Sequence, residues 1–167
     1  MPSRPKKNID GFVMKHQILM NWCWAAVSVS VAEHSTGNPL RECDIAAKCL
    51  DLDCCGQRKP CDQEFFLDLA LKTVGQLKRV ETSRLTFNAI KSEIDAGRPV
   101  CVRVEWAKEK TGHFVAITGY DTTPTGRQIV LTDDPFYGKA RTEYSAFVTS
   151  YQGEGAWTHT YFLKGRA

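Results

Sequence analysis

Residues 22–32 are almost continuously apolar, a pattern that predicts a helix buried on all sides rather than one with a solvent face. Asn21 immediately before it is a good N-cap residue, and Thr36, Gly37, Asn38 and Pro39 form a stop, so this helix is expected to run from Asn21 to about Ser35. Residues 41–50, with Cys43, Ile45, Ala46, Ala47 and Cys49, suggest a short second helix. Asp62 can cap a third, in which Phe65, Phe66, Leu69, Ala70 and Thr73 or Val74 recur at helical spacing. Thr86 can cap a fourth over residues 87–96, closed by Gly97 and followed by Pro99.

After Pro99 the period changes to two. Residues 100–106, 113–120 and 128–132 alternate as strands between turn residues, and residues 123–126 read as the hairpin turn joining the last two. Residues 144–151 fit a short helix or a strand, and residues 156–163 a closing strand. Helices first and an antiparallel sheet second is an α+β arrangement. No internal repeat or phosphate-cradling glycine pattern interrupts it.

The chain has 167 residues, of which 43% are hydrophobic, enough for one well-formed core. A single domain over residues 1–167 is therefore expected, in two lobes, with residues 1–10 as a basic, flexible tail. The formal charge is only +3, and the basic residues are scattered apart from Arg4, Lys6 and Lys7, so no nucleic-acid footprint stands out. No apolar run has the length of a membrane span, and the opening residues lack the apolar stretch of a secretory signal. A soluble monomer is expected, either exported by a route that needs no such signal, shown after processing, or cytoplasmic.

Cysteine usage changes this picture. The chain has 7 cysteines, and Cys43, Cys49, Cys54, Cys55 and Cys61 crowd into an insert over residues 43–61. That density points to an oxidising destination. Their spacings lack the paired Cys-x2-Cys form of zinc sites, so no metal is expected, and disulfides are the preferred reading. Five cysteines cannot all pair among themselves, which leaves Cys101, inside a strand, as either the sixth partner or a buried free thiol.

Cys23 differs from the rest. In the first turn of the predicted helix its thiol meets unpaired backbone N–H groups and the positive end of the helix dipole, both of which favour a thiolate. A thiolate nucleophile needs a base and a group to orient that base. Of the 4 histidines, His113 is the one that opens a clean alternating strand; His16 lies in a loop, His34 at the far end of the first helix and His159 inside the last strand. Antiparallel pairing through the 123–126 hairpin brings Asp133 or Asp134 near His113, and only one can face the imidazole because neighbours on a strand point to opposite sides.

Gln17-x5-Cys23-Trp24, the run from Gly112-His113 to Gly119-Tyr120, and Asp134-Pro135 resemble the signatures of papain-like cysteine peptidases. The similarity is greatest to a compact bacterial branch that includes plant-pathogen effector proteases and the double-glycine leader peptidases of bacteriocin export. The resemblance implies Cys23 as nucleophile, His113 as general base and later acid, Asp134 (the acid that precedes proline) as orienting carboxylate, and Gln17 as an oxyanion donor beside the Cys23 backbone N–H. Asp133 remains the alternative acid. Trp22 and Trp24 are candidates for the cleft wall, though packing is the plainer role for both and for Trp106. The implied fold is a helical lobe carrying the nucleophile helix, packed on an antiparallel β lobe. The implied activity is peptide-bond hydrolysis through a thioester, without a cofactor, on a peptide or protein substrate. Resemblance also implies a bacterial effector or toxin delivered to a target cell and a possible immunity or inhibitor protein. Two other readings are a transglutaminase or acyltransferase on the same triad, and a non-catalytic binding module that uses the cysteine-rich insert.

Overall fold

The computed structural model describes residues 6–166. Arg4, part of the basic opening, lies outside the described residues. Lys7 and Asn8, expected within a flexible tail, instead form a short strand β1 (Lys7–Asn8), paired antiparallel with Tyr120 and Gly119 of a later strand.

Helix α1 (Cys23–Thr36) is buried along nearly its whole length. Its two buried serines do not spoil the core, because Ser28 and Ser30 turn their hydroxyls back onto the Ala25 and Ala26 carbonyls at 3.0 and 2.6 Å. The N-cap position falls on Trp22, not Asn21, and no side chain caps it. Asn21 is engaged elsewhere: its backbone N–H and side-chain amide both donate to Asp62, at 2.9 and 3.2 Å. The same bond removes Asp62 as a helix cap, and α3 (Leu67–Thr73) starts five residues later, after Phe65 and Phe66. Helix α2 (Glu42–Leu50) lies between them in sequence, and α1, α2 and α3 pack on one another as the helical lobe.

Strand β2 (Leu77–Glu81) is mostly exposed and carries no apolar period that would predict it. Helix α4 (Phe87–Asp95) follows, with Thr86 capping it as expected through a 3.1 Å bond from the Ala89 N–H. Strands β3 (Val100–Glu105), β4 (Gly112–Thr122), β5 (Gln128–Asp134) and β6 (Gly138–Glu143) come next. The ambiguous segment is a helix, α5 (Tyr144–Ser150), and β7 (Ala156–Leu163) closes the chain. All pairings are antiparallel, in the order β2-β7-β3-β4-β5-β6, with β1 placed along β4 beyond the point where β3 ends.

The alternation of β3 and β4 divides the core in two. Cys101, Phe114 and Ala116 face the helical lobe, together with Tyr161 and Leu163. Val100, Val102, Val104, Val115 and Ile117 face the opposite side, where α4 and α5 cover them through Ile90, Ile94, Phe147 and Val148. One sheet thus separates two apolar layers, and its helical-lobe face meets α1 along β4. None of the described helices is long and apolar enough to cross a membrane.

Candidate active site

Cys23 opens α1 and is 8% exposed, so its backbone N–H is among those a helix start leaves without an intrahelical partner. Both flanks of this residue are held by the segment that closes the cysteine-rich insert. The Trp22 indole N–H donates to the Cys61 carbonyl at 2.7 Å and that of Trp24 to the Gln63 carbonyl at 3.0 Å, while Asp62 holds Asn21. Cys61 is itself tied to Cys54, and Cys43 to Cys55. Beside Cys43, the buried Glu42 carboxylate accepts the Ile18 N–H at 2.8 Å and fixes the loop that follows Gln17. Burial raises the Glu42 carboxyl above its ordinary range, against the Ile18 hydrogen bond and the nearby cations.

Two of the disulfide candidates do not pair. Cys49 is a half-buried thiol near the Thr73 hydroxyl, at 3.8 Å. Cys101 lies on the core-facing side of β3, fully buried, where burial pushes its thiol up to about 12. Of the two outcomes open for Cys101, the structure shows the free thiol.

On the sheet side, the hairpin register brings β4's first residues alongside the end of β5. The His113 Nε2–H reaches both carboxylate oxygens of Asp134, at 3.0 and 2.9 Å. Asp134 also accepts the Phe136 and Tyr137 backbone N–H groups at 2.7 and 2.9 Å and the Tyr151 hydroxyl at 2.5 Å. Asp133 turns the other way, to the Thr118 hydroxyl at 3.0 Å and the Lys139 ammonium at 3.1 Å. Burial alone would depress His113, yet the hydrogen bonds and charges of Asp134 and Cys23 outweigh it and hold the imidazole up to about 9. Burial likewise opposes Asp134's charge, but His113, Tyr151 and the turn N–H groups keep the carboxyl below its ordinary value.

Between the lobes runs a cleft of about 830 Å³, with Cys23 and His113 among its lining residues. Trp24 lines it as well; Trp22 does not, being wholly enclosed behind Cys23. The helical wall sets the exposed apolar side chains of Met20 (71%) and Phe66 (68%) beside the carboxylates of Glu64 and Asp68. The sheet wall carries Arg103 and His159, which face each other across the β3–β7 ladder. Burial and Arg103 lower His159. Gly112, just before His113, admits the guanidinium of Arg103 so closely that a Cβ would lie 2.5 Å from Nε. His16 is exposed with its ring against Phe136, and His34 is in the last turn of α1 against Phe12, so neither lines this cleft.

Gln17 is buried and its backbone N–H bonds the Pro135 carbonyl at 2.9 Å, which ties the stretch before Cys23 to the turn after Asp134. Its side-chain Nε2 donates to the Leu19 and Met20 carbonyls at 3.1 and 2.7 Å. Two residues that no sequence motif assigns to the site, Trp106 and Tyr151, border it. Trp106 stacks on the His113 ring, centroids 5.6 Å apart and planes at 23°. A signal for Trp106 existed: Val104 is the direct partner of His113 in the β3–β4 ladder, and two residues on from it Trp106 returns to the same face, diagonal to His113. Tyr151 had none.

The sequence profile of the Peptidase_C39 like family matches residues 8–164. Among curated proteins no sequence matches the chain. Solved structures that resemble it include two cysteine proteases. One is the proform of Amb a 11, a cysteine protease and major ragweed pollen allergen, at 13% identity and TM-score 0.59, over 96% of this chain. The chain spans 66% of that proform's length. The other is the bromelain protease of Ananas comosus in complex with the E64 inhibitor, at 16% identity and TM-score 0.57, covering 94% of this chain and 97% of that one. These likenesses show the fold, a papain-like α+β architecture in two lobes.

Proposed function

The chain belongs to the Peptidase_C39 like family of cysteine peptidases, and on that premise we propose that it hydrolyses peptide bonds with Cys23, His113 and Asp134 as its triad. The observation that carries this reading is the His113–Asp134 bond at 2.9 Å at the edge of a cleft that Cys23 enters from the other lobe. A raised imidazole beside a thiol at a helix start is suited to a thiolate–imidazolium pair.

In this mechanism the Cys23 thiolate adds to the scissile carbonyl carbon, and the carbonyl π electrons move onto oxygen. The oxyanion is met by the Cys23 backbone N–H and, once Gln17 releases one of its two carbonyl partners, by the Gln17 amide. Collapse of the intermediate breaks the C–N bond as His113 Nδ1–H protonates the leaving amine, leaving a thioester. Water then attacks the thioester carbonyl while His113 removes its proton, and the thiolate leaves. Asp134 keeps the ring oriented and stabilises its positive charge in each half.

The substrate is an extended peptide or protein segment laid along the apolar Met20 and Phe66 wall. Two disulfides in so small a chain suit an oxidising destination, which supports an exported or delivered enzyme. The test is hydrolysis of a peptide library together with labelling by the epoxide E64. Labelling and turnover are expected for the parent and for neither in Cys23→Ala; turnover that survives the substitution refutes the reading.

A further inference from the structure

The triad acid is held on both oxygens, and by different kinds of partner. Oδ1 takes the Phe136 and Tyr137 backbone N–H groups, while Oδ2 takes the Tyr151 hydroxyl, and His113 Nε2 reaches both. Pinned at Oδ1 alone, a carboxylate can pivot about that oxygen; a second fixed point at Oδ2 sets its plane. Tyr151 follows α5 and is 1% exposed. Burial and the Asp134 charge push its phenol upward, so the hydroxyl keeps its proton and donates.

The Tyr151 ring has a second route to the base. It lies against Trp106, centroids 6.2 Å apart at 23°, on which His113 also stacks. The contacts therefore close a ring: His113 to Asp134 to Tyr151 to Trp106 and back. The turn beneath it is shaped for this. Tyr151 and Gly155 exchange both backbone hydrogen bonds, at 2.8 and 2.7 Å, and a Cβ on Gly155 would come within 3.0 Å of the Trp106 ring.

We propose that Tyr151 is a positioning residue of the site: its hydroxyl sets the plane of the Asp134 carboxylate, and its ring, through Trp106, backs the His113 imidazole. This rests on Cys23, His113 and Asp134 forming the triad. A purely structural Tyr151, packed on Phe147 at 5.2 Å, makes a different prediction.

The experiment follows alkylation of Cys23 by iodoacetamide in the full chain at neutral pH, across a double-mutant cycle of Tyr151→Phe and Asp134→Ala. Tyr151→Phe keeps the ring, and native folding is checked by near-ultraviolet circular dichroism. The substitution is expected to slow alkylation about tenfold in the parent, roughly 1.4 kcal/mol, and less than twofold in the Asp134→Ala background. Equal losses in the two backgrounds, or no loss in the parent, overturn the proposal. Should Tyr151→Phe not fold, Trp106→Phe against His113→Ala is read by the same rule. Iodoacetamide needs no peptide. A chain that shows the coupling but cleaves no peptide refutes the peptidase reading and leaves Tyr151's role standing, whereas cleavage without coupling refutes that role alone.

Discussion

The proposed nucleophile and its proposed base are held in place by different means. Cys23 sits where indole and amide donors from Asn21, Trp22 and Trp24 grip three successive residues, Cys61, Asp62 and Gln63, next to a disulfide. His113 sits at the start of a strand paired through β3 and β5, with a carboxylate, a phenol and an indole arranged around it. The first grip depends on a small, covalently stapled segment with little regular structure. The second is distributed over a continuous sheet. Perturbing the staple should therefore disturb one half of the site and spare the other, because the sheet's order comes from its own ladder and core layers.

The largest effect removes the proposed nucleophile. Cys23→Ala is expected to reduce peptide turnover on the order of 10⁴-fold or more while the melting temperature stays close to the parent's. Removing Asp134, the proposed orienting acid, strikes the other half. Asp134→Ala is expected to lower turnover roughly 10³-fold, and the His113 titration, followed by NMR, should move down from about 9 toward its ordinary value as the carboxylate that raises it is lost.

The contrast itself is probed by a matched pair. Cys54→Ser with Cys61→Ser is expected to cost about 2–3 kcal/mol, and Ile117→Ala in the sheet about 2–4 kcal/mol, both read by denaturant unfolding. Well below their midpoints, only the cysteine pair should slow Cys23 alkylation. Equal slowing in both would erase the distinction between the halves.

Acid and base limits follow from the two shifted groups. His113 is raised, so the stability it contributes is full below the ordinary value of 6.5 and is lost as pH climbs through about 9, where turnover should also decline. Asp134 is lowered, so its contribution is present above 3.8 and disappears as pH falls through its depressed folded value. Both limbs are measurable by thermal unfolding against pH; a midpoint that rises between pH 8 and 10 would contradict the first. The smallest effect is expected at Cys49, where Ser should change stability by no more than about 0.5 kcal/mol, with thiol titration of the unfolded, unreduced parent showing the free cysteines Cys23, Cys49 and Cys101 and no others.

Legibility tracked burial and sequence distance. The all-apolar run of α1 and the strict alternation of β3 and β4 were readable because burial on all sides or on alternating sides leaves a pattern in the residues themselves. Strands β2 and β6 left none: they are the two edges of the sheet, mostly exposed, and their side chains carry no apolar period. Asn21 and Asp62 were each read as helix caps, a fair inference from local chemistry, but each satisfied the other across forty-one positions and left both helices uncapped by side chains. Pairing among Cys43, Cys54, Cys55 and Cys61 was open for the same reason, since spacing does not say which sulfurs meet.

By itself the sequence determined the α+β order, the helix that presents Cys23 and the hairpin that carries His113 toward Asp134, because hydrophobic period and antiparallel register are local properties that survive any packing. Tertiary structure decided which acid turns inward to His113, which cysteines stay free, and that Trp106 and Tyr151 close a ring with His113 and Asp134. Those outcomes depend on side chains from distant elements competing for the same few donors and acceptors, and only the folded chain brings them within hydrogen-bonding reach.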